Sequence, residues 1–203
     1  TPMTVAPDLV AKKLAEAAAV PFSWTMRGRC WRLGHDVPHM GGVVPMRVVS
    51  EQRFDPKDIV PHLFAETDPG FVERARPGDI IVAGRNFGMG PKMQGYIAMQ
   101  ALGIGVVCES MTFLAYREAI GIGLRLLTGC EGATGVCSTG DDLEVDFRAG
   151  RFVNHTTGVT KQFPGVPEAL SDIVEVGVAR GGDGCGEGEA FRLEEPGHGR
   201  RTV

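Results

Sequence analysis

The apolar positions of this chain are densest between residues 77 and 108. Residues 79–83 (Asp-Ile-Ile-Val-Ala) make a run of strand length, as expected for a strand buried on both faces of a parallel sheet. Residues 84–91 follow as a turn containing Gly84, Gly88 and Gly90. From Lys92 the apolar residues Met93, Ile97, Ala98, Ala101 and Leu102 recur at helical spacing, and residues 104–108 are a second strand-like run. Strand, glycine loop, helix and strand form a βαβ unit. Its loop lies at the carboxyl end of the first strand, where open α/β sheets bind ligands.

The pattern on either side is weaker. Residues 9–19 carry a thin apolar face and predict a helix capped by Asp8 and ended by Pro21. Residues 27–33 predict a strand, and short helices are expected over 58–64 and 70–75, with a longer one over 110–120. Residues 129–140, rich in Gly, Thr, Ser and Cys, predict a loop. Residues 143–147 and 151–155 predict a hairpin turning at Gly150, with 159–163 extending it. Pro167 suits the first turn of a helix over 168–176. From residue 180 the chain is too glycine-rich and polar to pack alone. The organisation expected is therefore an N-terminal helical extension (1–24), one domain (25–178) and a Gly-rich tail (179–203). The extension is a packing arm, a partner contact or a disordered leader.

The glycine loop is not a common nucleotide signature. Its spacing is G-x-x-x-G-x-G, and Pro91 separates Gly90 from Lys92, which excludes a Walker motif. What remains is an anion site, since backbone N–H groups at a helix start attract a carboxylate as well as a phosphate.

Several segments in order resemble the small subunit of 3-isopropylmalate dehydratase, the swivel domain of the aconitase superfamily. They are PGDIIVAGRNFGMG with the helix and GIGVV after it, Asp68-Pro69-Gly70-Phe71, Tyr116-Arg117 with Ala119-Ile120, Gly140 to Asp146, and Asn154-His155-Thr156-Thr157-Gly158. The likeness runs from about residue 27 to residue 177. It implies an α/β fold, an aconitase-type swivelling β/β/α domain with a parallel βαβ core and an added hairpin. It also implies a lyase subunit active only with a large subunit, on a small carboxylic acid, with a 4Fe-4S cluster on that partner and no cofactor on this chain. The extension at residues 9–19 has no counterpart in the family.

Two family features differ. The family's cleft segment resembles G-D-D-I-D-T-D-x-I-I-P-x-R; here Asp36, Val37, Val43, Val44, Pro45 and Arg47 match, but the middle is Pro38-His39-Met40-Gly41-Gly42, without the two aspartates. His39 is then a solvent-facing loop histidine or a site histidine. The family's loop G-x-G-S-S-R-E, whose serine acts as base and whose arginine binds a carboxylate, is here Gly88-Met89-Gly90-Pro91-Lys92-Met93-Gln94. Pro91 falls at the serine, and Lys92 stands at the arginine or at the second serine. The residues expected to carry chemistry are Lys92, His39 and Tyr96. Those expected to bind substrate are Asn86, Gly88, Gly90, Lys92, Met93 and Arg47. Three functions follow: a hydro-lyase or isomerase of altered substrate or mechanism, a conventional 3-isopropylmalate dehydratase whose base comes from elsewhere in the complex, or a non-catalytic or regulatory swivel subunit.

Bulk properties add little. A formal charge of −4 gives no reason to expect nucleic acid or an anionic membrane as partner. The five cysteines form no C-x-x-C pair, and Cys130 and Cys137 have no histidine nearby to complete a metal set. The opening residues lack the order of a signal peptide, and the odd number of cysteines points to reduced thiols, so a cytoplasmic location is expected.

Overall fold

A computed structural model of the chain describes residues 5–90 and 92–181. The first helix, α1, spans Pro7–Ala18. Asp8 was expected to cap it. Instead Ala6 occupies the cap position without a side-chain bond, and Pro7, whose missing N–H costs nothing in a first turn, begins the helix. Lys13 ties α1 to the domain: it is 8% exposed, and its Nζ donates to the carbonyl oxygens of Glu73, at 2.9 Å, and Ala75. The arm is thus packed through the described helix.

Strand β1 covers Thr25–Arg32, and short helices α2 (Met46–Ser50), α3 (Pro56–Ile59) and α4 (Phe71–Arg74) fill the passage to β2 (Ile80–Ala83). Helix α5 (Gln94–Ala101) leads to β3 (Gly105–Cys108) and α6 (Phe113–Gly121) to the short β4 (Leu126–Leu127). A meander of β5 (Asp142–Asp146), β6 (Arg151–Asn154) and β7 (Val159–Gln162) follows, then α7 (Glu168–Gly181). The expected loop 129–140 contains a 3-10 turn at Ala133–Gly135, and α7 outlasts the expected 168–176. Most of the Gly-rich tail, residues 182–203, lies outside the described residues.

The seven strands are ordered β4-β3-β2-β1-β5-β6-β7. β1 to β4 are parallel, so Ile80 pairs with Gly105 and Val82 with Val107, as the βαβ reading requires. The meander is antiparallel and joins the sheet where β5 pairs with β1. All four residues of β2 and all four of β3 are buried, because helices cover one face and the meander side covers the other. Helix α5 closes in a Schellman motif: Gly103 N–H donates to Gln100 and Ile104 N–H to Met99. That abrupt stop delivers the chain directly into β3.

One buried carboxylate locks the entry to this unit. Asp79 is 3% exposed and accepts three N–H groups: Arg29 backbone at 3.0 Å, Trp31 Nε1 at 2.9 Å and Arg76 backbone at 2.9 Å. It fastens the turn before β2 to β1.

Candidate functional site

Beyond the ends of β1 and β2, the two strands continue to hold each other. Gly84 N–H donates to Gly34, Asp36 N–H to Arg85, Gly88 N–H to Val37 and His39 N–H to Met89, all at 2.8–3.0 Å. The segment after β1 therefore zips alongside the glycine loop rather than leaving it free. The loop after β3 joins from the other side, since Ser110 Oγ accepts from Asn86 N–H at 3.0 Å and Ser110 O accepts from Phe87 N–H. Asn86 is held at φ +55°, and its Nδ2 donates to Asp36 Oδ1 at 2.7 Å. Three strand ends thus share one carboxyl edge.

The loop is also braced from behind. Tyr96 is fully buried on α5, and its hydroxyl donates to Gly88 O at 3.1 Å. Gly88 has φ +68°, and a Cβ there would lie 2.0 Å from that hydroxyl, so only glycine fits. Burial raises the Tyr96 pKa, which keeps the phenol protonated as a donor. His39 is likewise buried, with 0% exposure; the solvent-facing reading of this residue is corrected. Its Nε2 accepts from Gly95 N–H at 3.1 Å, and its ring meets Tyr96 edge to face at 4.9 Å. His39 thereby caps an N–H in the first turn of α5 from a different segment. The hydrogen bond assigns the ring proton to Nδ1, which is buried without a partner among the described residues. His39 and Tyr96, expected to carry chemistry, both lie buried behind the loop and brace it.

Desolvation pushes the His39 pKa down to about 4. An unfolded chain protonates near pH 6.5, so stability supplied by the neutral ring is complete above that pH and falls as pH drops toward 4. The loss is expected to reach roughly 3 kcal/mol. Urea denaturation of the wild type at pH 7 and pH 4.5 should show it, and His39→Gln, which cannot titrate, should flatten the difference. Equal pH slopes in the two proteins would contradict this role.

Lys92 and Met93 lie between the glycine loop and α5. Lys92 is half-buried, and its backbone N–H donates to Gly90 O at 3.0 Å. Its ammonium makes no hydrogen bond or ion pair among the described residues. Met93 packs on the core. Pro91 itself lies outside the described residues. Arg47 stands apart from the loop's bonding network: it is exposed on α2, and its guanidinium meets His62 Nδ1 at 3.2 Å.

Two residues on this edge escaped the sequence reading. His35 follows β1, and its Nδ1 accepts from Arg85 N–H at 2.9 Å, leaving the proton of the neutral ring on Nε2. A Cβ at position 84 would lie 2.2 Å from that Nδ1, so Gly84 is the slot in which the imidazole sits. Glu109 Oε2 stands 3.9 Å from His35 Nδ1, and Glu109 Oε1 accepts from Thr134 Oγ1 at 2.9 Å. The available signal was positional, since each follows a predicted parallel strand within a few residues. Among the described residues no group of three or more His, Cys, Asp or Glu side chains is placed to hold a metal ion. Cys30, Cys108, Cys130 and Cys137 are free and buried. No described helix is long and apolar enough to cross a membrane.

A four-stranded parallel core, an antiparallel meander joined through β1 and a glycine loop at the shared carboxyl edge define an aconitase-type swivel domain. The fold matches a crystal structure of 3-isopropylmalate dehydratase from Methanocaldococcus jannaschii with a TM-score of 0.67 at 27% identity, covering 77% of this chain and 93% of that one. The chain is 36% identical over 154 residues to the 3-isopropylmalate dehydratase small subunit 1 of Methanopyrus kandleri, covering 75% of this chain and 88% of that protein. It is 33% identical to the isopropylmalate/citramalate isomerase small subunit of M. jannaschii, over 75% and 89% of the two chains. No family model matches the sequence. The chain belongs to the 3-isopropylmalate dehydratase small-subunit family.

Proposed function

We propose that this chain is the swivel subunit of a heteromeric hydro-lyase or isomerase acting in the cytoplasm on a small hydroxy-diacid, with altered substrate or mechanism. The observation that carries the reading is Lys92. Lys92, a half-buried residue whose ammonium has no partner among the described residues, stands between a braced glycine loop and the N-terminus of α5. Its charge and the helix dipole favour an anion at the same place. Lys92 holds a substrate carboxylate as a point charge, where the family's arginine would grip it at two points. Pro91 has no hydroxyl, so this loop supplies no serine base. His35 is a titratable group on the same edge with its tautomer fixed, and it is a better placed proton carrier than His39. The large subunit's iron–sulfur cluster, which the family resemblance implies, would supply the Lewis acid.

A second reading, conventional 3-isopropylmalate isomerisation with the base supplied by the partner, is favoured by what the relatives are called. Co-expression with the large subunit and assay of a panel of hydroxy-diacids separates the readings. Preference for a diacid other than 3-isopropylmalate supports the altered reading, and preference for 3-isopropylmalate supports the conventional one. No turnover of any diacid by an iron-loaded complex would leave a regulatory subunit.

The partner surface proposed is the start of α6, beside the loop that Ser110 ties to Asn86. Phe113 is 78% exposed there and Leu114 42%. Burying a phenyl ring against a partner contributes about 1.5–3 kcal/mol. Phe113→Glu is expected to weaken association with the large subunit by at least ~10-fold, read by analytical ultracentrifugation, with an unchanged melting temperature. Unaltered assembly would remove this face from the interface.

A further inference from the structure

At the opposite end of the sheet from the glycine loop, α1 leans over the domain and leaves a groove of about 700 Å³. One wall is the N-terminal arm, with Leu14, Ala17 and Phe22; the other is the end of α5 and the start of β3, with Ala101 and Ile104. The volume is that of a small-molecule site, and most of the named wall is hydrocarbon. Asp55, Lys57, Gln100 and Arg125 interrupt it. Arg125, in the turn between α6 and β4, lines the groove, and its guanidinium stands 5.4 Å from the Phe22 ring centroid. One of its N–H groups donates to Ser23 O at 2.8 Å. No carboxylate lies within ion-pair distance of it among the described residues. Burial without an anion pushes its pKa down to about 10. Asp55 and Lys57 also line the groove, and the Asp55 carboxylate is occupied by the Lys57 backbone N–H at 2.9 Å.

A half-buried cation at the edge of an apolar slot is complementary to an acid with a hydrocarbon body. The guanidinium offers planar paired donors, which suit a carboxylate. We propose that the groove is a binding site for a small amphipathic monocarboxylate, its chain lying along Leu14, Ala17, Phe22 and Ala101 and its carboxylate on Arg125. The site depends on α1, the segment the family resemblance does not cover. It is remote from the strand-end edge, so an acid bound here does not compete with a substrate held at the glycine loop.

Octanoate is the probe, titrated by calorimetry into the whole 203-residue chain, with octanol and acetate as controls. Octanoate is expected to bind with a dissociation constant of about 1 mM or tighter, given its few heavy atoms. Octanol, lacking the charge, and acetate, lacking the chain, should each bind at least ~10-fold more weakly. Arg125→Gln should reduce octanoate binding by a similar factor, and Ala101→Phe, which fills the slot from α5 and leaves the cation intact, should abolish it. Both variants are checked by thermal melting, and either one that folds suffices. Equal binding of octanol would overturn the proposal and mark the groove as a plain apolar contact. Undiminished octanoate binding in a folded variant, or none in the wild type, would also overturn it.

Discussion

Lys92→Ala, assayed in the assembled complex on its true substrate, is expected to lower kcat/KM by about 100-fold or more. A charge pair broken from one side in a partly desolvated site costs ~3–5 kcal/mol, and each 1.4 kcal/mol is tenfold. Lys92 precedes α5, where the macrodipole slightly disfavours a cation, and this is why we propose that it serves an anion. The melting temperature should not change, because the loop's shape is held by Tyr96, His39 and the Asn86–Asp36 bond rather than by the lysine. Lys92→Arg should keep most of the activity. Kinetics identical to wild type in Lys92→Ala would reduce the loop to scaffold.

The largest effect on stability is expected from Asp79→Ala. Three donors, on Arg29, Trp31 and Arg76, would lose their acceptor at once in a site that is 3% exposed. Leaving buried donors unpaired costs about 1–3 kcal/mol for each group, and partial relaxation brings the sum to roughly 3–5 kcal/mol. For a domain of this size that is a fall of about 10 °C in melting temperature by circular dichroism. A fall under ~2 °C would show that water replaces the carboxylate. Because Asp79 positions the start of β2, the variant should lose activity only in step with its folded fraction.

The scaffold was legible because periodicity records burial. Residues 80–83 and 105–108 are apolar at every position, which only strands covered on both faces sustain, and α5 showed its helical spacing plainly. The boundaries of α1 were less legible, since Pro7 and Asp8 are both acceptable first-turn residues and local pattern does not rank them. The site was half legible. Gly88, Gly90 and Lys92 announced a loop before a helix, but His39 looked like a loop residue because the chain around it is rich in glycine and proline. Its burial comes from a long-range event, the pairing of residues 34–39 with 84–89, which places the ring against Tyr96 and Gly95. His35 and Glu109 were missed for the same reason. Neither belongs to a motif, and they meet only once β1, β2 and β3 lie side by side. Asp79 read as part of a strand, whereas its importance lies in three donors, two of them from β1 and some 50 residues away in sequence.

The central claim is that this chain supplies one wall of a site completed by a larger subunit. The most direct test titrates the purified chain into the iron-loaded large subunit and follows interconversion of a hydroxy-diacid. The account predicts negligible turnover by either protein alone and a rate that rises to a plateau at equimolar ratio. Full activity of the large subunit without this chain, or of this chain without it, would contradict the account.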